Sequence, residues 1–141
     1  MENRAELIIK SNSENIALAR IAVATFASQL DFTLAEIEEI KVAISEAVSN
    51  AIIHGYQDGS GEIEIKMSLA NEILKIEIID QGQGIKNISQ VTDASYTNNG
   101  RMGLGLTFID SFMNSFEIES KLGNGTKLKM SKEPEKNEAE A

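Results

Sequence analysis

The hydrophobic pattern of this chain changes period once, at about Glu62, and that change constrains the fold more than any other feature. Before it, apolar residues recur at helical spacing: Ile16, Leu18, Ile21, Val23, Phe26 and Ala27 in one run, then Ile37, Ile40, Ile44, Ala47, Val48 and Ala51 in a second. The pairs Ser11 with Glu14 and Thr33 with Glu36 match capping boxes at the two helix starts. The first helix is expected to reach about Leu30, and Gly55 is the natural stop of the second. After Glu62 the period is two. Ile63, Ile65, Met67 and Leu69 alternate with polar neighbours, and Leu74, Ile76 and Ile78 repeat the alternation after a turn near Ala70 to Glu72. Further strands are expected over 4–10, Phe116 to Lys121 and Thr126 to Met130, with a helix from Gly103 to Asn114. Helices first and hairpin strands later predict an α+β fold, a two-layer sandwich with helices on one face of a mixed, mostly antiparallel sheet.

A chain of 141 residues has room for one domain with a real core. The domain is expected over 1–131, and 132–141 (KEPEKNEAEA) reads as a disordered charged tail. A formal net charge of -9 repels phosphate backbones and anionic membranes, which argues against direct nucleic-acid or membrane partners. Without cysteine there is neither disulfide nor thiolate metal site, and one histidine cannot build a His-rich zinc centre. An oxygen-ligated Mg²⁺ remains open. No apolar segment is long enough to span a bilayer or act as a leader, so a cytoplasmic protein is expected.

Four short constellations carry candidate chemistry. Glu46, Asn50 and His54 are spaced by four on the second helix. A carboxylate and an amide one turn apart suit a general base and a Mg²⁺ ligand, although a solvated helix face is the commoner meaning of such a pair. Asp80-Gln81-Gly82-Gln83-Gly84 follows a strand, where a carboxylate can accept from an exocyclic amine and glycines let backbone approach a ring; alone it reads as a turn. Gly100-Arg101-Met102-Gly103-Leu104-Gly105-Leu106 closes a long aperiodic stretch and opens a helix, an arrangement suited to phosphate. It is neither a P-loop, since Leu106 stands at the lysine position, nor a Rossmann turn, since Phe108 stands at the third glycine. Arg101 adds charge for a terminal phosphate, or is simply an exposed arginine. Gly123-Asn124-Gly125-Thr126 alone is a hairpin turn.

In this order the four elements resemble the nucleotide-binding signature of the GHKL superfamily, which includes gyrase, histidine kinases and MutL. Within it, Ala19 to Tyr56 is similar to the sporulation anti-sigma-F factors, serine kinases of Bacillus and Clostridium relatives. The resemblance covers roughly residues 5–130 and implies the Bergerat ATP-binding fold with ATP and Mg²⁺ as cofactors. By it, Glu46 would be the general base and Asn50 a nucleotide contact and Mg²⁺ ligand. Asp80 would meet the adenine amino group, with Gly82 and Gly84 beside the base and Thr126 near it. Gly103, Leu104 and Gly105 would cradle phosphates, and Arg101 would touch the γ-phosphate. Arg20 matches a position that docks partners: a sigma factor, and the anti-anti-sigma factor that is phosphorylated on serine. A homodimer is implied as well. Ser49 stands where the pattern has threonine, and the lid from Ile85 to Asn99 matches no family pattern. Competing readings are a stress-response anti-sigma kinase of the same fold and a nucleotide-dependent binding module without kinase activity.

Overall fold

The computed structural model describes residues 2–55, 61–82, 97–98, 101–102, 106–120 and 123–135. Strand β1 (Asn3–Lys10) leads through a 3-10 turn, Ser13–Asn15, into helix α1 (Ile16–Ala27). That turn is capped by Asn12, whose side chain accepts from the Glu14 N–H at 2.9 Å, so the expected Ser11 cap is displaced by one residue. The helix stops at Ala27, short of Leu30, as the N–H groups of Gln29 and Leu30 turn back to the Phe26 and Ala27 carbonyls. Helix α2 (Leu34–Asn50) opens on the expected capping box, with Thr33 and Glu36 bonded in both directions.

The hairpin of β2 (Glu62–Ala70) and β3 (Ile73–Asp80) is closed by Asn71 and Glu72, both at positive φ, the two-residue geometry that matches strand twist. A two-residue ladder joins β4 (Thr97–Asn98), inside the expected lid, to β5 (Arg101–Met102) just after it; the rest of that lid lies outside the described residues. Helix α3 (Leu106–Phe112), β6 (Ser115–Ser120) and β7 (Thr126–Lys132) follow. The five-stranded sheet has the order β1-β2-β3-β7-β6. Its pairs are all antiparallel, where the expectation allowed for a mixed sheet.

Alternation gives the sheet two unlike faces. On one, Ile65, Ile78 and Leu128 form a row across β2, β3 and β7, and Met67, Ile76 and Met130 form the next; all are buried. The helices cover this face with Val23 and Phe26 of α1, Ile40, Ile44 and Val48 of α2, and Ile109 of α3. Each fully buried aliphatic side chain contributes about 1.5–3 kcal/mol. On the other face Glu6, Lys66, Glu77, Lys129 and Glu117 are successive cross-strand neighbours of alternating sign. No helix is needed to cover that face.

The chain stays ordered past the expected boundary at 131. Lys132 closes β7 and its ammonium donates to the carbonyl of Phe112 at the end of α3. The Glu133 N–H donates to Asn114 and the Glu135 N–H to Glu36. Residues 136–141, the rest of the expected tail, lie outside the described residues. Among the described residues no helix is long and apolar enough to cross a membrane.

Candidate nucleotide site

One row of the covered sheet face turns polar where the strands end. Ile63, Asp80, Thr126 and Ser120 are consecutive cross-strand partners on β2, β3, β7 and β6. The apolar rows beneath fix this register, because a slip of one residue would turn every buried side chain outward. Asp80 is therefore carried to the edge of the core and is only 5% exposed. Burial pushes its carboxyl above the ordinary aspartate range; the backbone N–H groups of Gly82, at 2.9 Å, and of Thr126 offset this only in part.

Glycines surround that carboxylate because nothing larger fits. A Cβ on Gly55 would lie 2.9 Å from the Asp80 carboxyl carbon, and one on Gly82 would lie 1.9 Å from the Gly55 carbonyl oxygen. Gly125 has φ of 77°, and a Cβ there would meet the Asp80 carbonyl oxygen at 2.2 Å. Gly55 and Gly82 thus press the end of the second helical segment onto the end of β3. A cavity of about 500 Å³ opens at this end of the sheet, lined in part by Asp80, Ser120, Gly125 and Thr126.

Helix α2 brings Glu46 and Asn50 toward the same end. Both are half-buried, and the Asn50 side-chain nitrogen is fully buried with no hydrogen-bond partner among the described residues. Such an orphan costs about 1–3 kcal/mol unless something else satisfies it. After Asn50 the helix widens to a π-helical stretch, Ala51–Gly55, a geometry that recurs at functional sites. Glu46 and Asn50, the first two members of the expected ridge, lie within α2, and the His54 backbone belongs to the π-helical stretch.

Residues 9–132 match the family described as histidine kinase-like ATPase domain. The chain belongs to this family. It is 45% identical over 135 residues to an anti-sigma F factor of Clostridium acetobutylicum, with 94% of each chain covered. It is 44% identical over 133 residues to an anti-sigma F factor of Thermoanaerobacter, with 92% of this chain and 93% of the relative covered. Its fold is shared with the structure of the RsbU and RsbW domains of a Mycobacterium tuberculosis protein, at a TM-score of 0.68 and 21% identity, covering 93% of this chain and 32% of that one. A blue-light activated histidine kinase of Erythrobacter litoralis gives a TM-score of 0.61 at 16% identity, covering 86% and 41%.

Within this ATPase-family domain the expected site residues fall into groups. Asp80, Gly82 and Thr126 are brought together, and Glu46 and Asn50 share a helix face one turn apart. Arg20 is half-buried on α1, between the exposed Leu18 and Ile21. The Arg101 backbone pairs with Asn98 in the short ladder. Gly84, Gly103, Leu104 and Gly105 lie outside the described residues. The sequence reading missed Gly55, taken as a helix stop, and Ser120, whose place beside Thr126 needs the β6–β7 register. Among the described residues no three His, Cys, Asp or Glu side chains cluster as a metal site.

Proposed function

We propose that this chain is a cytoplasmic anti-sigma factor of the sigma-F type that binds Mg²⁺-ATP and phosphorylates a serine of an anti-anti-sigma protein. The observation that carries the reading is the buried, donor-poor carboxylate of Asp80 among close-packed glycines, on a chain of the ATPase family whose curated relatives are anti-sigma F factors. A carboxylate kept short of N–H donors suits the exocyclic amine of adenine.

The residues present fit a magnesium nucleotide. Asn50 offers an amide oxygen to a cation, while its buried, unpartnered nitrogen is free to donate to a phosphate or water oxygen. A single protein ligand is enough for Mg²⁺, which keeps its waters and takes phosphate oxygens, so the absence of an acidic cluster among the described residues is compatible with it. When bound, Mg²⁺-ATP supplies the transferable γ-phosphoryl group and the charge neutralisation that transfer requires. Asp80 and Thr126 then hold the base, Asn50 orients the phosphates, and Glu46 accepts the proton of the incoming serine hydroxyl. Gly84 would lie by the base, with Gly103, Leu104, Gly105 and Arg101 at the phosphates. The acceptor serine comes from a second protein. Arg20, flanked by Leu18 at 50% and Ile21 at 59% exposure, offers a charged and apolar surface on α1 for a sigma factor and the anti-anti-sigma protein, on a homodimer.

The test uses γ-labelled ATP, purified anti-anti-sigma protein and Glu46→Gln. Label should reach a partner serine with the native chain and fall by at least about a hundredfold with the variant. Transfer undiminished in the variant removes Glu46 as base. Nucleotide binding without transfer, by the native chain, leaves a binding module.

A further inference from the structure

Ser120 stands at the end of the polar row, one strand beyond Thr126, and among the described residues its hydroxyl lies against two oxygens. Its oxygen lies 2.8 Å from the Gly125 carbonyl oxygen and 2.8 Å from the Thr126 hydroxyl oxygen. A carbonyl can only accept, so the one Ser120 proton is given to Gly125. The second contact is then a hydrogen bond only if Thr126 is its donor. Gly125 cannot turn its carbonyl away at will, because its positive φ and its close approach to β3 fix that peptide. The proton of Thr126 is accordingly directed along the row toward Ser120, and the lone pairs of its oxygen are left for whatever enters beside Asp80.

We propose that Ser120 is a positioning residue that fixes the Thr126 hydroxyl as an acceptor, so that the site takes a purine carrying a 6-amino group and rejects one carrying a 6-oxo group. Asp80, a carboxylate when ionised, is also acceptor-only. Two acceptors on neighbouring strands leave a carbonyl at position 6 with no donor, whereas an amino group offers two N–H bonds. Without Ser120 the Thr126 hydroxyl is free to rotate and donate, and it then serves either ring. This inference rests on the nucleotide reading above and adds to it a residue that acts through the Thr126 hydroxyl.

The test compares ATP with inosine triphosphate, which carries a 6-oxo group and an N1–H in place of the 6-amino group and bare N1 and lacks the 2-amino group of GTP. The N1 difference is common to every variant, so the change with Ser120 reports on position 6. Affinities are measured by calorimetry for the native chain, Ser120→Ala, Ser120→Thr and Thr126→Val, and for Thr126→Val combined with Ser120→Ala. Native protein should prefer ATP. In Ser120→Ala the preference should shrink by up to about tenfold, the worth of one hydrogen bond, chiefly through a gain for inosine triphosphate. Ser120→Thr restores the hydroxyl and should restore the preference, and Ser120→Ala should change nothing further once Thr126 is valine. If Ser120→Ala weakens both nucleotides equally, or Ser120→Thr fails to restore discrimination while melting like the native chain, Ser120 is structural and the inference is overturned. Absence of ATP binding by the native chain would remove the nucleotide reading itself, and this inference with it.

Discussion

The helical segment from Leu34 to Gly55 has a buried carboxylate at each end, and the protein treats the two in opposite ways. At its start, Glu36 is 4% exposed, and burial alone would push its carboxyl up. Its oxygens instead accept from the Thr33 N–H at 2.8 Å and the Glu135 N–H at 3.0 Å, and with the Thr33 side chain and the nearby Lys132 ammonium these contacts outweigh burial. The carboxyl is held below the ordinary glutamate range. At the far end Asp80 is 5% exposed, and its two backbone donors do not outweigh burial, so it is held above the ordinary range. Strand β7 joins the two environments, with Thr126 beside Asp80 and Lys132 beside Glu36. A carboxylate supplied with donors by its own chain is finished as a structural part, whereas one left short of them is stabilised by a ligand that brings N–H groups.

The strongest way to break this contrast is Asp80→Asn. The Asp80 Oδ1 already accepts from Gly82, so an amide keeping that bond presents an NH₂ group where the second acceptor oxygen stood. ATP affinity should fall by about a hundredfold, since hydrogen bonds to charged groups are worth about 1.5–3 kcal/mol and a donor now faces a donor. Calorimetry with Mg²⁺ and ATP checks it; native-like binding by the variant would mean that Asp80 does not meet the base.

The glycines sharpen the contrast by separating close approach from backbone conformation. Gly82→Ala would set a methyl 1.9 Å from a backbone oxygen, which no rotamer change relieves, and should cost about 2 kcal/mol of stability while loosening the site. Gly123 has φ of 87° but open space around it, so Gly123→Ala should cost about 1 kcal/mol and leave nucleotide affinity alone. Urea unfolding of both variants beside nucleotide titrations distinguishes these outcomes. Equal losses in both variants would mean that the close packing of Gly82 against Gly55 has no special weight.

Much of this architecture was legible beforehand, and the gaps have physical causes. Local signals carried the elements: the Thr33–Glu36 box, the alternation of β2 and β3 and the turn between them are set by neighbours in sequence. Asp80 and Thr126 were singled out beforehand by the order of four glycine and carboxylate elements that resembles the GHKL signature, since each of their loops alone reads as a turn. Ser120 did not, because a lone serine in a strand acquires meaning only from the register of β6 on β7. Gly55 looked like a cap because its other role, contact with Asp80, lies 25 positions away in sequence. Residues 133–135, read beforehand as part of the tail, show the same difficulty. Glu133 and Glu135 look like a charged tail, yet their backbone N–H groups find partners on α2 and after α3.

At the structural end, Glu36→Gln tests the saturated carboxylate. The amide must turn an NH₂ toward either Thr33 or Glu135, losing one acceptor, and should cost about 1 kcal/mol in urea unfolding with ATP affinity changed less than about twofold. A comparable loss of affinity would show that the two ends are coupled through the helix.

The smallest expected effect is the most discriminating, because the two carboxylates oppose each other as pH changes. Glu36, held below its ordinary range, releases its proton earlier in the folded chain than in the unfolded one. Its stabilisation is full above the ordinary glutamate range and is lost as pH falls through the depressed value. Asp80, held above its ordinary range, keeps its proton longer when folded, so the fold loses stability as pH rises from the ordinary aspartate range through the raised value. In the native chain the slopes partly cancel, each bounded by about 1.4 kcal/mol per pH unit. Glu36→Gln should leave the falling slope uncovered and Asp80→Asn the rising one. Urea midpoints of nucleotide-free protein across the acidic range should therefore diverge in opposite directions from the native curve. If both variants bend the same way, one of the two carboxylates has been assigned the wrong environment. Nucleotide affinity supplies an independent check on Asp80: an amine binds the ionised carboxylate, so ATP should bind more tightly as pH rises through the raised value, and Glu36→Gln should leave that dependence unchanged.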